Sequence, residues 1–191
     1  MTDEAIIIEV CTMSKSTIAK WVLIGIAAGG VAWMALHPRP SGPVTMGQAA
    51  PGFTLPQLSS GNLSLSQYQG QVVVLNFWAT WCPPCIEETP SLEQFATQMK
   101  PEGVIVIGVS VDEDPKALEN FIQHFHLSYP IARDPSAALA HRYGTYKLPE
   151  TYIIGRDGHV AEKIIGGTNW TDPRMIAFVK SLAGNTTQAS R

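Results

Sequence analysis

Two apolar runs, Val72–Ala79 and Val104–Val111, constrain the fold of this chain more than any other feature. Each reads as a buried strand, and the stretch between them, from about Pro83 to Met99, reads as a helix. Continuous apolar strands joined through a helix pair in parallel and are covered on both faces. Thr151–Gly155 and His159–Ile165 flank Arg156-Asp157-Gly158, an Asp-Gly hairpin turn that adds antiparallel strands. The expected class is α/β, with a mixed central sheet flanked by helices.

Smaller elements complete the plan. Ala50–Pro56 and Leu63–Leu65 read as two short strands around Ser59-Ser60-Gly61-Asn62, an N-terminal β-hairpin extension. Ser66-Gln67-Tyr68 reads as one helical turn. Pro90 should kink the first helix. Asp114 should cap a helix from Pro115 to about Phe125. Tyr129–Ala132 reads as a short strand and Ser136–Tyr143 as a short helix. Thr171 or Asp172 should cap a last helix that ends at Gly184.

Between the first apolar run and its helix stands Trp81-Cys82-Pro83-Pro84-Cys85. That context puts the first sulfur at a helix N-terminus, where unpaired N–H groups and the helix dipole stabilise a thiolate. Cys82 is therefore the expected nucleophile and Cys85 the resolving thiol of a dithiol–disulfide pair. A zinc site would need four Cys or His ligands. The chain has 3 cysteines, Cys11 lies beyond an apolar segment, and no His is near the pair in sequence. No metal and no cofactor are expected. Pro83 and Pro84 remove two N–H groups beside the thiols, so a Cys82 thiolate should be stabilised less and the dithiol should be the better reductant for it.

The N-terminal part has another character. From Trp21 to Leu36 run sixteen uncharged residues, slightly short of a usual membrane span. Lys20 can snorkel, and Trp21 and Trp33 stand near the two ends. No clean small-residue cleavage site follows, so residues 18–36 are expected to be an uncleaved signal-anchor. Lys15 and Lys20 precede its uncharged run and Arg39 follows, which places residues 1–17 in the cytoplasm and residues from about 38 onward outside. Residues 1–12 carry Asp3, Glu4 and Glu9 ahead of a basic stretch, which suggests Met13 as the natural start. Residues 37–47 read as a Pro-rich linker, 48–184 as the folded domain and 185–191 as a polar tail. A length of 191 residues suits one domain plus this extra material. A net charge of −3, with no basic stripe, excludes nucleic acid as a partner class.

Ala50-Pro51-x-Phe53-x-Leu55, followed by Gly70-x-Val72 through Cys85, resembles the membrane-anchored thioredoxin-like thiol-disulfide oxidoreductases of the TlpA/ResA/DsbE (CcmG) family. The resemblance covers about residues 48–184 and includes Glu88, Pro90 and the turn before Pro149. It implies a thioredoxin-like fold and an extracytoplasmic protein-disulfide reductase, single-pass in a bacterial inner membrane, with its domain facing the periplasm or cell exterior. Its clients would be disulfides of apocytochrome c or of copper-delivery proteins, and its electron donor a membrane thiol transporter of the DsbD or CcdA type. Gly144-Thr145-Tyr146-Lys147-Leu148-Pro149-Glu150-Thr151 is similar to the G-V-Y-G-A-P-E-T pattern of the DsbE group. Lys147 and Leu148 depart from that pattern where a client backbone should pass.

The resemblance also implies roles. Glu88, three residues after Cys85 on one helical face, would be a partly buried acid that raises the thiol pKa and shuttles a proton for Cys85. Pro149 would be a cis-proline facing the cysteines, with Leu148 offering its backbone to the client. Trp81 would shield the disulfide and contact clients, while Phe77 and Trp78 belong to the core. Glu150 is left between the rim of the site and solvent. The histidines read as surface or satisfied residues. A thiol peroxidase would need PxxxTxxC, and Ala79 stands where its threonine should be. A Sco-type copper chaperone would need CxxxC and a distal His. A disulfide oxidase or isomerase is the closer rival, separated by reduction potential.

Overall fold

The computed structural model describes residues 24–26, 42–58 and 60–184. The chain divides into two compact units, Met1–Ser41 and Gly42–Arg191. Of the first, only a piece of helix at 24–26 is described. Most of the expected anchor 18–36, residues 1–17 and the tail 185–191 lie outside the described residues. Among the described residues, no helix is long and apolar enough to cross a membrane.

The second unit is built from strands β1 (Thr54–Pro56), β2 (Asn62–Ser64), β3 (Val72–Trp78), β4 (Val104–Ser110), β5 (Ile131–Arg133), β6 (Glu150–Ile154) and β7 (Val160–Ile165). Its helices are α1 (Pro83–Met99), α2 (Pro115–Phe125), α3 (Ala138–Tyr143) and α4 (Pro173–Gly184). The main sheet runs β5-β4-β3-β6-β7, and β1-β2 form a separate hairpin. Strands β3, β4 and β5 pair in parallel, whereas β6 and β7 pair antiparallel. The mixed sheet, its covering helices and the extra hairpin make the thioredoxin-like fold expected from the sequence.

Because β3 is buried on both faces, its alternate residues feed two cores. Val72, Val74 and Trp78 pack in one cluster with Leu92 and Phe95 of α1, Leu118 of α2 and Val179 of α4. Val73, Leu75 and Phe77 join the other, with Leu139 and Tyr143 of α3 and Phe53 and Leu63 of the hairpin. A lone two-stranded hairpin is marginal in water. Phe53 and Leu63, at about 1.5–3 kcal/mol for each large apolar side chain buried, hold this one on the domain.

Packing also reaches further toward the N-terminus than residue 48. Val44 is buried, its N–H donates to the Tyr143 carbonyl at 2.9 Å, and Gly47 N–H donates to Val160 at 2.8 Å. Residues 44–47, read from the sequence as linker, are thus tied to α3 and β7. The short helix α3 begins at Ala138, two residues later than its composition suggested. The buried Asp134 carboxylate accepts the N–H groups of Ala138, Leu139 and Ala140, and Ala137 turns the chain at a φ of 53°. The cap sits four residues upstream, so local periodicity could not fix the start. Asp172 caps α4 by accepting Arg174 N–H at 2.8 Å. Helix α1 continues through Pro90.

Gly108 of β4 faces Trp78. A Cβ placed there would lie 2.8 Å from Trp78 Nε1 and 3.2 Å from the Tyr129 ring. Both neighbours are buried and cannot withdraw into solvent. Gly108→Ala is therefore expected to destabilise the domain by about 1–3 kcal/mol, read as a lower urea midpoint at unchanged m-value.

Candidate active site

Strand β3 ends at Trp78, and four residues carry the chain to α1. Buried Asp112, just beyond β4, fixes this turn. Its carboxylate accepts Thr80 N–H at 3.0 Å, Thr80 Oγ1 at 2.6 Å and Ser110 Oγ at 2.7 Å. Cys82 N–H then donates to the Ala79 carbonyl at 3.3 Å. Cys82 is the N-cap of α1, with Pro83 and Pro84 as its first helical residues. Sequence reading did not single out Asp112. The hint was an acid closely following a continuous apolar strand.

Cys82 and Cys85 form a disulfide, with their Cα atoms 5.3 Å apart. Both are buried. The first two helical positions are prolines and carry no N–H. The next two amides, of Cys85 and Ile86, both donate to the Cys82 carbonyl, at 3.0 and 3.1 Å. The donors that usually greet an anion at a helix N-terminus are thus absent or engaged.

Glu88, one turn beyond Cys85, is 4% exposed, far more buried than an ordinary helix acid. Oε1 accepts Asn76 Nδ2 at 2.9 Å, and Oε2 accepts Thr168 N–H at 3.2 Å and Trp170 Nε1 at 3.4 Å. Asn76 Nδ2 also donates to Thr151 Oγ1 at 2.8 Å. Asn76 was a visible signal, since a polar residue within an apolar strand must find a partner. Burial pushes the Glu88 carboxyl above its ordinary pKa, against the hydrogen bonds from Thr168, Asn76 and Trp170.

The Leu148–Pro149 peptide is cis. Leu148 lines a groove with Trp81, Cys82, Pro83, Tyr146 and Lys147, so the CPPC turn and the loop before β6 share one surface. His141 lines it too, although sequence reading assigned it no place there. Trp81 is 67% exposed and stands out from the surface beside the buried disulfide. Among the described residues, the Leu148 N–H and C=O enter no backbone hydrogen bond. They are available to an extended segment laid along the groove. Glu88 does not line the groove.

Glu150 is neither at the rim nor in solvent. Its side chain is wholly buried, 2.7 Å from Lys163 Nζ and 2.6 Å from the Tyr152 hydroxyl. The partner comes from β7 through the β6–β7 pairing, which no local sequence pattern displays.

The arrangement holds a disulfide-bonded cysteine pair beside an open backbone edge, with the buried Glu88 carboxyl one helical turn beyond Cys85. Comparison with known proteins agrees with this chemistry. The family model "AhpC/TSA family" matches residues 46–163. The thiol-disulfide oxidoreductase ResA of Bacillus thuringiensis (strain Al Hakam) is 34% identical over 137 residues, covering 72% of this chain and 78% of the relative. A Chlorobium tepidum protein assigned as the thiol:disulfide interchange protein DsbE has a similar structure, with a TM-score of 0.69 and 28% identity over 74% of this chain and 99% of its own. A secreted Mycobacterium tuberculosis disulfide oxidoreductase, homologous to E. coli DsbE, superposes with a TM-score of 0.59 at 26% identity, over 68% of this chain and 94% of its own.

Proposed function

Because this chain belongs to the AhpC/TSA family and is a thioredoxin-like thiol-disulfide oxidoreductase, we propose that it works as an extracytoplasmic reductant of client-protein disulfides. The observation that carries this reading is the amide-poor start of α1. With Pro83 and Pro84 lacking N–H groups and the next two amides engaged, a Cys82 thiolate gains little from the helix terminus. A dithiol whose thiolate is not specially favoured holds its electrons less tightly.

In the reductive cycle the Cys82 thiolate attacks one sulfur of a client disulfide, forming a mixed disulfide and releasing the other client sulfur as a thiolate. Cys85, deprotonated with the help of Glu88, attacks Cys82 Sγ and expels the second client thiolate. Two electrons pass to the client, and the enzyme is left with the Cys82–Cys85 disulfide. A membrane thiol transporter of the DsbD or CcdA type restores the dithiol. The apolar segment 18–36 would anchor the domain next to that donor. Cytochrome c maturation is the favoured setting, from the likeness of Pro149-Glu150-Thr151 to the DsbE pattern, with copper-site thiols the alternative client.

The equilibrium reduction potential tests the direction of the chemistry. A value near the ~−270 mV of thioredoxin, measured against dithiothreitol or glutathione buffers, is the expected result. A value near the ~−120 mV of the strong oxidant DsbA would make the protein an oxidase and overturn the reading.

A further inference from the structure

The loop from Thr145 to Pro149 carries the backbone on which a client would dock, and it is tied down sparsely. At one end Thr145 N–H donates to Ala140 at 2.9 Å, and at the other Pro149 C=O accepts Gly166 N–H at 2.8 Å. Between them, Tyr146 N–H meets Glu150 Oε2 at 3.4 Å. The Tyr146 ring itself is 76% exposed on the groove. Glu150 is therefore the one side chain among the described residues that reaches up to hold the backbone of 146–148.

Two groups hold Glu150 at Oε1, the Tyr152 hydroxyl at 2.6 Å and the Lys163 ammonium, and of these only Lys163 brings a charge. The β6–β7 register pairs Tyr152 with Lys163 and Glu150 with Ile165, so Lys163 lies diagonal to Glu150 on one face of the sheet. Its ammonium is 2.7 Å from Glu150 Oε1, 5.0 Å from the Tyr152 ring centroid and 6.0 Å from that of Tyr146. A buried ion pair is a poor means of stabilising a fold, since apolar side chains of similar volume often do as well. What apolar residues cannot supply is a fixed oxygen facing an amide of the loop.

We propose that Glu150 and Lys163 are positioning residues for client binding: the Lys163-held carboxylate fixes the Tyr146 amide, and through it the docking edge of residues 145–149. This rests on the reading of the chain as a reductase of protein clients. Neither residue lines the groove, so the pair should govern client affinity and leave the dithiol chemistry untouched.

The test uses the full-length reduced chain in detergent, a peptide carrying an oxidised CxxCH motif, and hydroxyethyl disulfide as a small substrate. In Glu150→Leu/Lys163→Met the peptide KM should rise about tenfold, roughly the worth of one hydrogen bond to a charged group, with kcat nearly unchanged. The reduction potential and the rate with hydroxyethyl disulfide should not move. Glu150→Gln/Lys163→Met keeps an acceptor oxygen and should stay within about threefold of wild type, and Lys163→Arg should match it. A wild-type KM in Glu150→Leu/Lys163→Met would overturn the proposal, as would an equal loss with the small disulfide. Should the wild-type chain reduce hydroxyethyl disulfide but not the peptide, the client reading fails by itself, and amide exchange decides the positioning claim. The same measurement serves if the apolar double variant does not fold. Tyr146 N–H exchanging more slowly than Lys147 N–H supports the proposal, and equal exchange overturns it.

Discussion

Cys85→Ala is expected to leave the chain covalently attached to its client. Cys82, the N-cap of α1, would still attack a client disulfide, but no thiol would follow to release it. Cys85 is the only other cysteine of the folded domain and is bonded to Cys82 in the oxidised state. Turnover should fall to background, and a mixed disulfide should accumulate that is visible on a non-reducing gel and cleaved by dithiothreitol. Cys82→Ala should lose turnover equally while forming no adduct. Adducts on Cys85 in Cys82→Ala, with none on Cys82 in the complementary variant, would reverse the two roles.

Glu88→Gln should give the second largest effect. In the proposed cycle the carboxylate takes the Cys85 proton, for which it must be ionised. Burial raises its pKa above the ordinary 4.5, so the resolving step should lose rate as pH falls through that raised value. The Gln variant keeps the shape and removes the base. Its resolution at neutral pH should slow on the order of 10²-fold, and the acid limb of its pH–rate profile should disappear. Stability runs the opposite way with pH. A pKa raised by folding means that the protonated form is favoured in the native state. That contribution is fully present below the unfolded pKa and is lost as pH rises through the native one. Unfolding free energy should therefore depend less on pH in Glu88→Gln than in wild type above about pH 4.5. Unchanged thiol pKa values and unchanged turnover would remove Glu88 from the mechanism.

Much of this architecture was legible in the sequence because it is written locally. Val72–Trp78 and Val104–Ser110 are apolar throughout enough of their length to be buried on both faces, and Asp157-Gly158 marks the β6–β7 turn. The CPPC stretch sits where strand gives way to helix, and the helix begins at Pro83. What escaped is written across the chain. Glu150 could not be placed because its cation lies on the neighbouring strand, and its burial makes sense only once that pairing exists. Asp112 looks like any loop acid until the end of β4 brings it under Thr80. The same holds for Asp134, whose helix starts four residues later, and for His141, which joins the groove through the packing of α3.

The paired prolines of α1 bear on how the covalent intermediate divides between its two exits. A mixed disulfide can go forward, when Cys85 attacks Cys82 and the client sulfur departs. It can also go back, when the freed client thiol attacks its own former partner and Cys82 departs. Departure is easier for the more acidic thiol. With Pro83 and Pro84 offering no amide hydrogen and the next two bound to the Cys82 carbonyl, Cys82 should be a reluctant leaving group. In the proposed reductive cycle the helix start would thus weight the partition toward completion, so that a captured client is more often reduced than returned unchanged.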